Sequence, residues 1–210
     1  MAIIINGVDR NSTVNEPFTV PHGTYHMADN PAMYEPQRTN NFEFVITGLG
    51  SRILKSGFNP KDENAYIKDP EKIIRLSVKS AFIPHFSQNA IEIKRGNSTL
   101  KYAGAPTFNN GNLTIQDYIG TDAKMALMAW QNQSYNVMTE KVGLAKDYKH
   151  DCYMLEYTPD YQLVRTWKLY GCWISNISES PFTYDNQNGV NEITATIEYD
   201  RALPDSTDVL

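Results

Sequence analysis

The chain has 210 residues, 41% of them hydrophobic, enough for one domain with a core and for an additional arm or long loops. A formal net charge of −5 and a pI near 5.4 argue against a basic nucleic-acid-binding surface, although not against a surface along which nucleic acid slides without sticking. No apolar run reaches the length of a membrane span, and the start lacks the basic residues of a signal peptide before Asn6 and Gly7.

Residues 1–37 hold Pro17, Pro21, Pro31 and Pro36 among many Asn and Thr residues, with little alternation. They predict an arm that orders on neighbours or stays loose, tipped by Ile3, Ile4 and Ile5. Residues 41–47 alternate, placing Phe42, Phe44 and Ile46 on one face, and predict the first core strand. A polar connection holding Pro60 and Pro70 follows, and residues 73–79, rich in Ile, Leu and Val, predict a second strand. Residues 91–94 and 100–102 predict a short hairpin that turns at Gly96 and Asn97. Neither of its sides can build a core alone, so it is expected to project and to offer unpaired edges to another chain. Residues 109–111 close this excursion and residues 113–117 resume the sheet.

The helix signal lies at residues 122–135. Thr121 is the expected N-cap, Asp122 sits at the positive end of the helix dipole, and Ala123, Ala126, Leu127 and Trp130 form the buried side. This helix is expected to cover one open side of the sheet. The strongest strand patterns fill the last third, at 152–158, 163–170 and 192–199. In the last, Ile193, Ala195, Ile197 and Tyr199 point one way, and Glu192, Thr194, Thr196 and Glu198 the other. A slip of one residue would turn both glutamates inward, so the register should be firmly set. Pro159 and Asp160 mark one turn and Asn188-Gly189 another. The polar tail from Pro204 is expected to fray.

Few residues point to chemistry. His22 and His26 are four apart, but they follow Pro21 and bracket Gly23, so no helix sets them on one face and no third metal ligand is near. His85 and His150 read as surface or packed residues. Residues 185–189 resemble a calcium loop only loosely, lacking the acidic ligands and the closing glutamate, and read better as a turn. Five Asn-x-Ser/Thr triplets read as chance in an Asn-rich chain without an export signal. Cys152 and Cys172 fall in or near adjacent strands and are expected to be a reduced, packed pair. His150 and Cys152 are too poorly placed on one strand for proton transfer, and no nucleophile elbow, phosphate loop or dinucleotide fingerprint occurs. Neither an enzyme nor a cofactor is expected. The 13 tyrosines instead suit half-buried strand faces and subunit interfaces.

Several stretches, in order between Arg38 and Ala202, together resemble the tail tube proteins of contractile-tailed bacteriophages. They are residues 38–44 (RTNNFEF), 98–104 (STLKYAG), 113–120 (LTIQDYIG), 129–132 (AWQN) and 143–148 (GLAKDY), and above all 165–173 (RTWKLYGCW) followed by 193–199 (ITATIEY). The more distant type VI secretion tube protein shows a similar order of elements. The resemblance implies a mainly β subunit, a β-sandwich or barrel with one flanking α-helix. Six copies would close a ring, and rings would stack into a hollow tube within a contractile sheath. The implied boundaries are an arm at 1–37, a tube domain at 38–203 and a tail at 204–210. The implied partners are further copies of the chain, the sheath protein, the tape-measure protein, and baseplate and tail-terminator proteins. Double-stranded DNA would pass through transiently and non-specifically, with no stable membrane association. The implied location is the tail tube of the virion, assembled in the host bacterial cytoplasm.

By the same resemblance the hairpin reaches the neighbouring ring, which makes Ile91, Glu92, Ile93, Lys94, Arg95, Leu100, Lys101 and Tyr102 candidates for inter-ring contact. Glu192, Glu198 and Asp200 are candidates for a lumen wall, since carboxylates repel phosphate. Compact family members begin close to residue 38, so the preceding arm is a departure. It keeps open a tube-like baseplate or terminator ring beside the repeating tube subunit. A small-ligand-binding β-domain or an enzyme is the reading from another class.

Overall fold

A computed structural model describes residues 4–5, 8–9, 36–50, 69–119, 122–179, 181–184 and 189–205. The chain divides into two compact units, residues 1–38 and 39–210. In the first, strands β1 (Ile4–Ile5) and β2 (Val8–Asp9) pair antiparallel.

The second unit runs β3 (Phe42–Ile46), α1 (Pro70–Ser77), β4 (Val78–Ser80), β5 (Phe86–Arg95), β6 (Ser98–Phe108), β7 (Gly111–Gln116), α2 (Ala123–Ser134), β8 (Tyr135–Asn136), β9 (Lys141–Val142), α3 (Ala145–Tyr148), β10 (His150–Tyr157), β11 (Leu163–Glu179), β12 (Glu192–Glu198) and β13 (Arg201–Asp205). Seven strands form one antiparallel sheet in the order β3-β10-β11-β12-β7-β4, with β13 also paired to β11.

The organising strand is β11, 17 residues long. Its first part pairs with β10 on one edge and β13 on the other, and its second part pairs with β12. Two half-sheets therefore share one strand, and a strand that passes from one sheet to another makes the corner of a sandwich or barrel. The change of partner falls at Gly171, whose φ of +68° is a conformation most side chains avoid. A Cβ there would also stand 2.3 Å from Asp200 Oδ2.

The alternation read from the sequence sets the core. Phe44 and Ile46 of β3, Cys152 and Met154 of β10, Leu169, Cys172 and Ile174 of β11, Ile193, Ala195 and Ile197 of β12, and Leu113 and Ile115 of β7 are all buried in one cluster. Ala123, Ala126, Leu127 and Trp130 of α2 join it, as the helical periodicity predicts. The expectation of a mainly β fold with a flanking helix holds.

Four local expectations change. Residues 73–79 are not a strand: α1 occupies 70–77 and only Val78–Ser80 is extended. Pro70 stands at the first helical position, where its missing N–H costs nothing. Pro70, Ile74 and Ser77 then share a buried face at helical spacing, leaving Leu76 69% exposed. The helix is fastened to the sheet by Arg75, which pairs with Glu43 of β3, while Glu43 also accepts a 3.0 Å hydrogen bond from the Tyr157 hydroxyl. The hydrogen bond that Arg75 itself donates to Glu43 is the main cause that raises the Arg75 pKa.

The cap of α2 is Asp122 rather than Thr121: its carboxylate accepts from the Met125 N–H at 3.3 Å. Pro204 and Asp205, assigned to the tail, instead lie in β13 opposite Trp167 and Thr166, on an edge where a missing proline N–H is tolerated. The hairpin is also far longer than predicted, with strands of 10 and 11 residues. Asn188-Gly189 as a turn, His22, His26, the Ile3 tip and most of the polar connection before α1 lie wholly or partly outside the described residues. No helix among the described residues is long and apolar enough to cross a membrane.

Candidate assembly surfaces

The hairpin β5–β6 pairs with no other strand of the sheet among the described residues. Its direction is set at the root. Phe86 and Phe108 face each other across the strands with ring centres 5.8 Å apart, and Phe108 leans on Tyr199 at 6.0 Å. Phe82 stacks on the other side of Tyr199 at 5.7 Å and 19°. The Tyr199 hydroxyl donates to the His85 carbonyl at 3.1 Å and accepts from its N–H at 3.2 Å. Gly111, the first residue after the excursion, leaves room for this: a Cβ there would stand 1.9 Å from the Phe82 ring. Tyr199 thus serves as more than the end of the buried row foreseen for β12, since it ties that row to the hairpin. Burial pushes its phenol up, against the pull of the His85 backbone hydrogen bond.

Beyond the root, Ile91 faces Tyr102 and Ile93 faces Leu100, so the four side chains share one side of the ribbon. Each is between 45 and 54% exposed. Arg95, opposite Ser98, ends the same side by strand alternation. The other side is polar: Glu92 and Lys101 face each other at 3.3 Å, with Lys94 nearer the tip. The eight hairpin candidates thus sort into an apolar side with Arg95 at its end and a solvated side.

A second surface is the polar face of the half-sheet β4-β7-β12-β11. Cross-strand pairing sets Gln116 beside Glu192, Thr114 beside Thr194 and Asn112 beside Thr196. The Thr114 and Thr194 hydroxyls are hydrogen-bonded at 3.2 Å, and Thr196 Oγ1 donates to Asn112 Oδ1 at 3.3 Å. Glu192 lies at one end, paired with Lys79 of β4. Glu198 lies at the other and accepts from Asn110 Nδ2 at 3.1 Å and Ser175 Oγ at 3.4 Å. Asp200 sits past the end of β12, where both carboxylate oxygens take Lys149 Nζ at 2.7 Å. The face is therefore a ladder of hydroxyls and amides, and among the described residues Glu192 and Asp200 meet a lysine while Glu198 meets no cation.

A third surface carries no signal of strand or helix periodicity and was not anticipated. Tyr118 and Ile119 follow β7, Phe182 and Tyr184 follow β11, and Val190 precedes β12; all five are exposed. The Asp117 N–H donates to the Asn191 carbonyl at 3.1 Å, and Asn191 Nδ2 donates to Glu179 at 3.1 Å, which gathers these loops at one end of the half-sheet. Glu179 also takes Lys124 of α2 at 2.6 Å, and that bond, then Asn191, holds its carboxyl below the usual range.

Catalytic chemistry finds no support in the arrangement around Cys152. Both cysteines are free and buried, and desolvation followed by the neighbouring Cys172 thiol pushes Cys152 well above its ordinary range, away from a reactive thiolate. His150 lies buried between Gln133 Oε1, 3.0 Å from Nε2, and the Thr47 carbonyl, 3.2 Å from Nδ1.

A two-part antiparallel sheet, a helix across its core and a long hairpin make a fold similar to that of chains in solved contractile injection systems. The solved structures with this fold include a chain of the sheath-tube complex of the extracellular contractile injection system PVC, at 14% identity and a TM-score of 0.57, covering 88% of this chain and 99% of that one. The tube-terminating cap of the anti-feeding prophage gives 16% identity and a TM-score of 0.57, over 87% of this chain and 99% of that one. A chain of the PVC sheath/tube terminator gives 18% and 0.55, over 81% and 97%. No protein-family model and no curated protein matches the chain.

Proposed function

We propose that the chain is the repeating structural subunit of the inner tube of a contractile bacteriophage tail, six copies closing each ring and rings stacking within a sheath. It has no catalytic role in this reading. The observation that carries it is the hairpin β5–β6, a long ribbon rooted on the core by Tyr199, whose apolar side finds no partner within the described residues. A rooted ribbon with an unpartnered apolar side fits a contact with another copy. The hydroxyl and amide face of β7 and β12 suits a bore: among the described residues it carries no free cation that would hold phosphate, and Glu198 repels it. Its DNA and tape-measure protein would pass without stable binding. The sheath protein would clasp the outside, baseplate and terminator proteins would meet the two tube ends, and the tube would assemble in the host cytoplasm and reside in the virion.

A second reading, a single terminator or baseplate ring, is favoured by the equal fold similarity to terminating proteins of contractile systems. Negative-stain electron microscopy of the purified protein, full length and lacking residues 1–37, separates the two. Hollow tubes are expected. Isolated rings that never stack would favour the terminal ring, and a dispersed monomer at high concentration would overturn both.

A further inference from the structure

The hairpin and the exposed loop cluster lie at opposite ends of the same half-sheet. β7 runs from the hairpin root at Gly111, opposite Ile197, to Gln116, opposite Glu192. Tyr118 and Ile119 continue from that far end, where the chain also leaves β11 for Phe182 and Tyr184 and enters β12 after Val190. One end thus presents Ile91, Ile93, Leu100 and Tyr102, and the other an apolar group of similar size.

Charge matches as well. Arg95 and Lys94 at the hairpin tip have no ion-pair partner among the described residues. Neither has Asp117, just before the loop cluster, nor Asp122, whose carboxylate only caps α2. A basic tip on an apolar ribbon faces, across the molecule, an acidic rim on an apolar loop cluster. A surface complementary to its own opposite end generates a head-to-tail series, which stays open wherever the rotation between copies does not close a ring.

We infer that the loop cluster of Tyr118, Ile119, Phe182, Tyr184 and Val190 is the surface that receives the hairpin of the next copy, with Arg95 directed to the Asp117–Asp122 rim. The inference rests on the tube reading and adds to it the receiving surface. The hairpin enters with its strands already paired and its root locked by Tyr199, so little conformational entropy is lost on docking. Opposite charges fix its register, and like charges at the same place would block it.

The test uses full-length protein carrying Ile93→Cys and Ile119→Cys together, polymerised and then treated with a mild thiol oxidant. Native Cys152 and Cys172 are buried and do not compete. Each copy then offers one donor and one acceptor, so a ladder of cross-linked species longer than one ring is expected, whereas either substitution alone gives dimers at most. Arg95→Glu alone and Asp117→Arg alone are each expected to lower the sedimenting tube fraction about tenfold, and the two together to restore it. Wild-type tubes that give no ladder, and whose assembly both reversals leave unchanged, would overturn the receiving surface while leaving the tube reading intact. A ladder that stops at the size of one ring would overturn it in favour of a contact between neighbours within the ring. If the wild-type chain forms neither rings nor tubes, the tube reading fails first.

Discussion

The Tyr199 hydroxyl makes two hydrogen bonds to the backbone of one residue, His85, and so fixes where the hairpin leaves the sheet. Tyr199→Phe keeps the ring stack but strands both backbone groups, and is expected to cost about 1 kcal/mol. Chemical denaturation measures the cost, and faster amide exchange at His85 would show that the loss is local. Gly171→Ala should cost more, about 2 kcal/mol, because it meets both a positive φ and the Asp200 carboxylate. An unchanged denaturation midpoint would contradict that account of the corner. Cys152 gives a pH dependence of known sign. Its folded pKa is raised by burial, so the unfolded chain loses its thiol proton first and stability falls as pH rises above about 8.5. Tyr157 and Tyr199, also raised mainly by burial, add the same trend from about pH 10. Cys152→Ala should lower stability at neutral pH yet flatten the decline between pH 8 and 10; an equally steep decline would remove Cys152 as its cause.

Among the elements, α1 shows where local pattern misleads. Ile73, Ile74, Leu76 and Val78 satisfy a strand pattern, and β-branched neighbours reinforce it. Position decides otherwise: Pro70 starts a helix, Ile74 alone of these is fully buried, and Arg75 finds Glu43. Ile74→Ala should therefore destabilise by about 2–5 kcal/mol, while Leu76→Ala should stay within about 0.5 kcal/mol. Two equal losses would favour the strand. Half-buried strands such as β12 were legible because one face must be apolar and the other polar. The outer parts of the hairpin were not, since Ala103, Gly104, Ala105 and Pro106 carry no strand preference and are extended only because β5 lies opposite. The β13 strand was hidden by Pro204, which only an edge position can accommodate. The loop cluster of Tyr118 and Phe182 has no periodicity at all, and only the meeting of three chain segments at one end makes it a surface.

For the molecule as a whole, the tube reading makes the polar ladder of β7 and β12 a candidate lining of the bore. Thr114→Lys and Thr196→Lys together would place two cations on that face without touching the core row of Ile193, Ala195 and Ile197. If the face lines the channel, tubes should still form, but DNA passage should slow and become salt-dependent, because each new phosphate contact is relieved by salt. Passage rates in reconstituted particles at two salt concentrations measure this. Reversing Glu198 should act in the same direction more weakly, and kinetics unchanged by all three substitutions would take the face out of the bore.

The uninterrupted course of β11 has a mechanical consequence. A push delivered at the loop end of the molecule enters one half-sheet through Glu179 and leaves the other near Leu163 along a single covalent backbone. Along that line the two halves part only if the ladders with β10, β12 and β13 shear together, whereas a sideways pull meets them in succession. The fold is therefore stiffer along the course of β11 than across it.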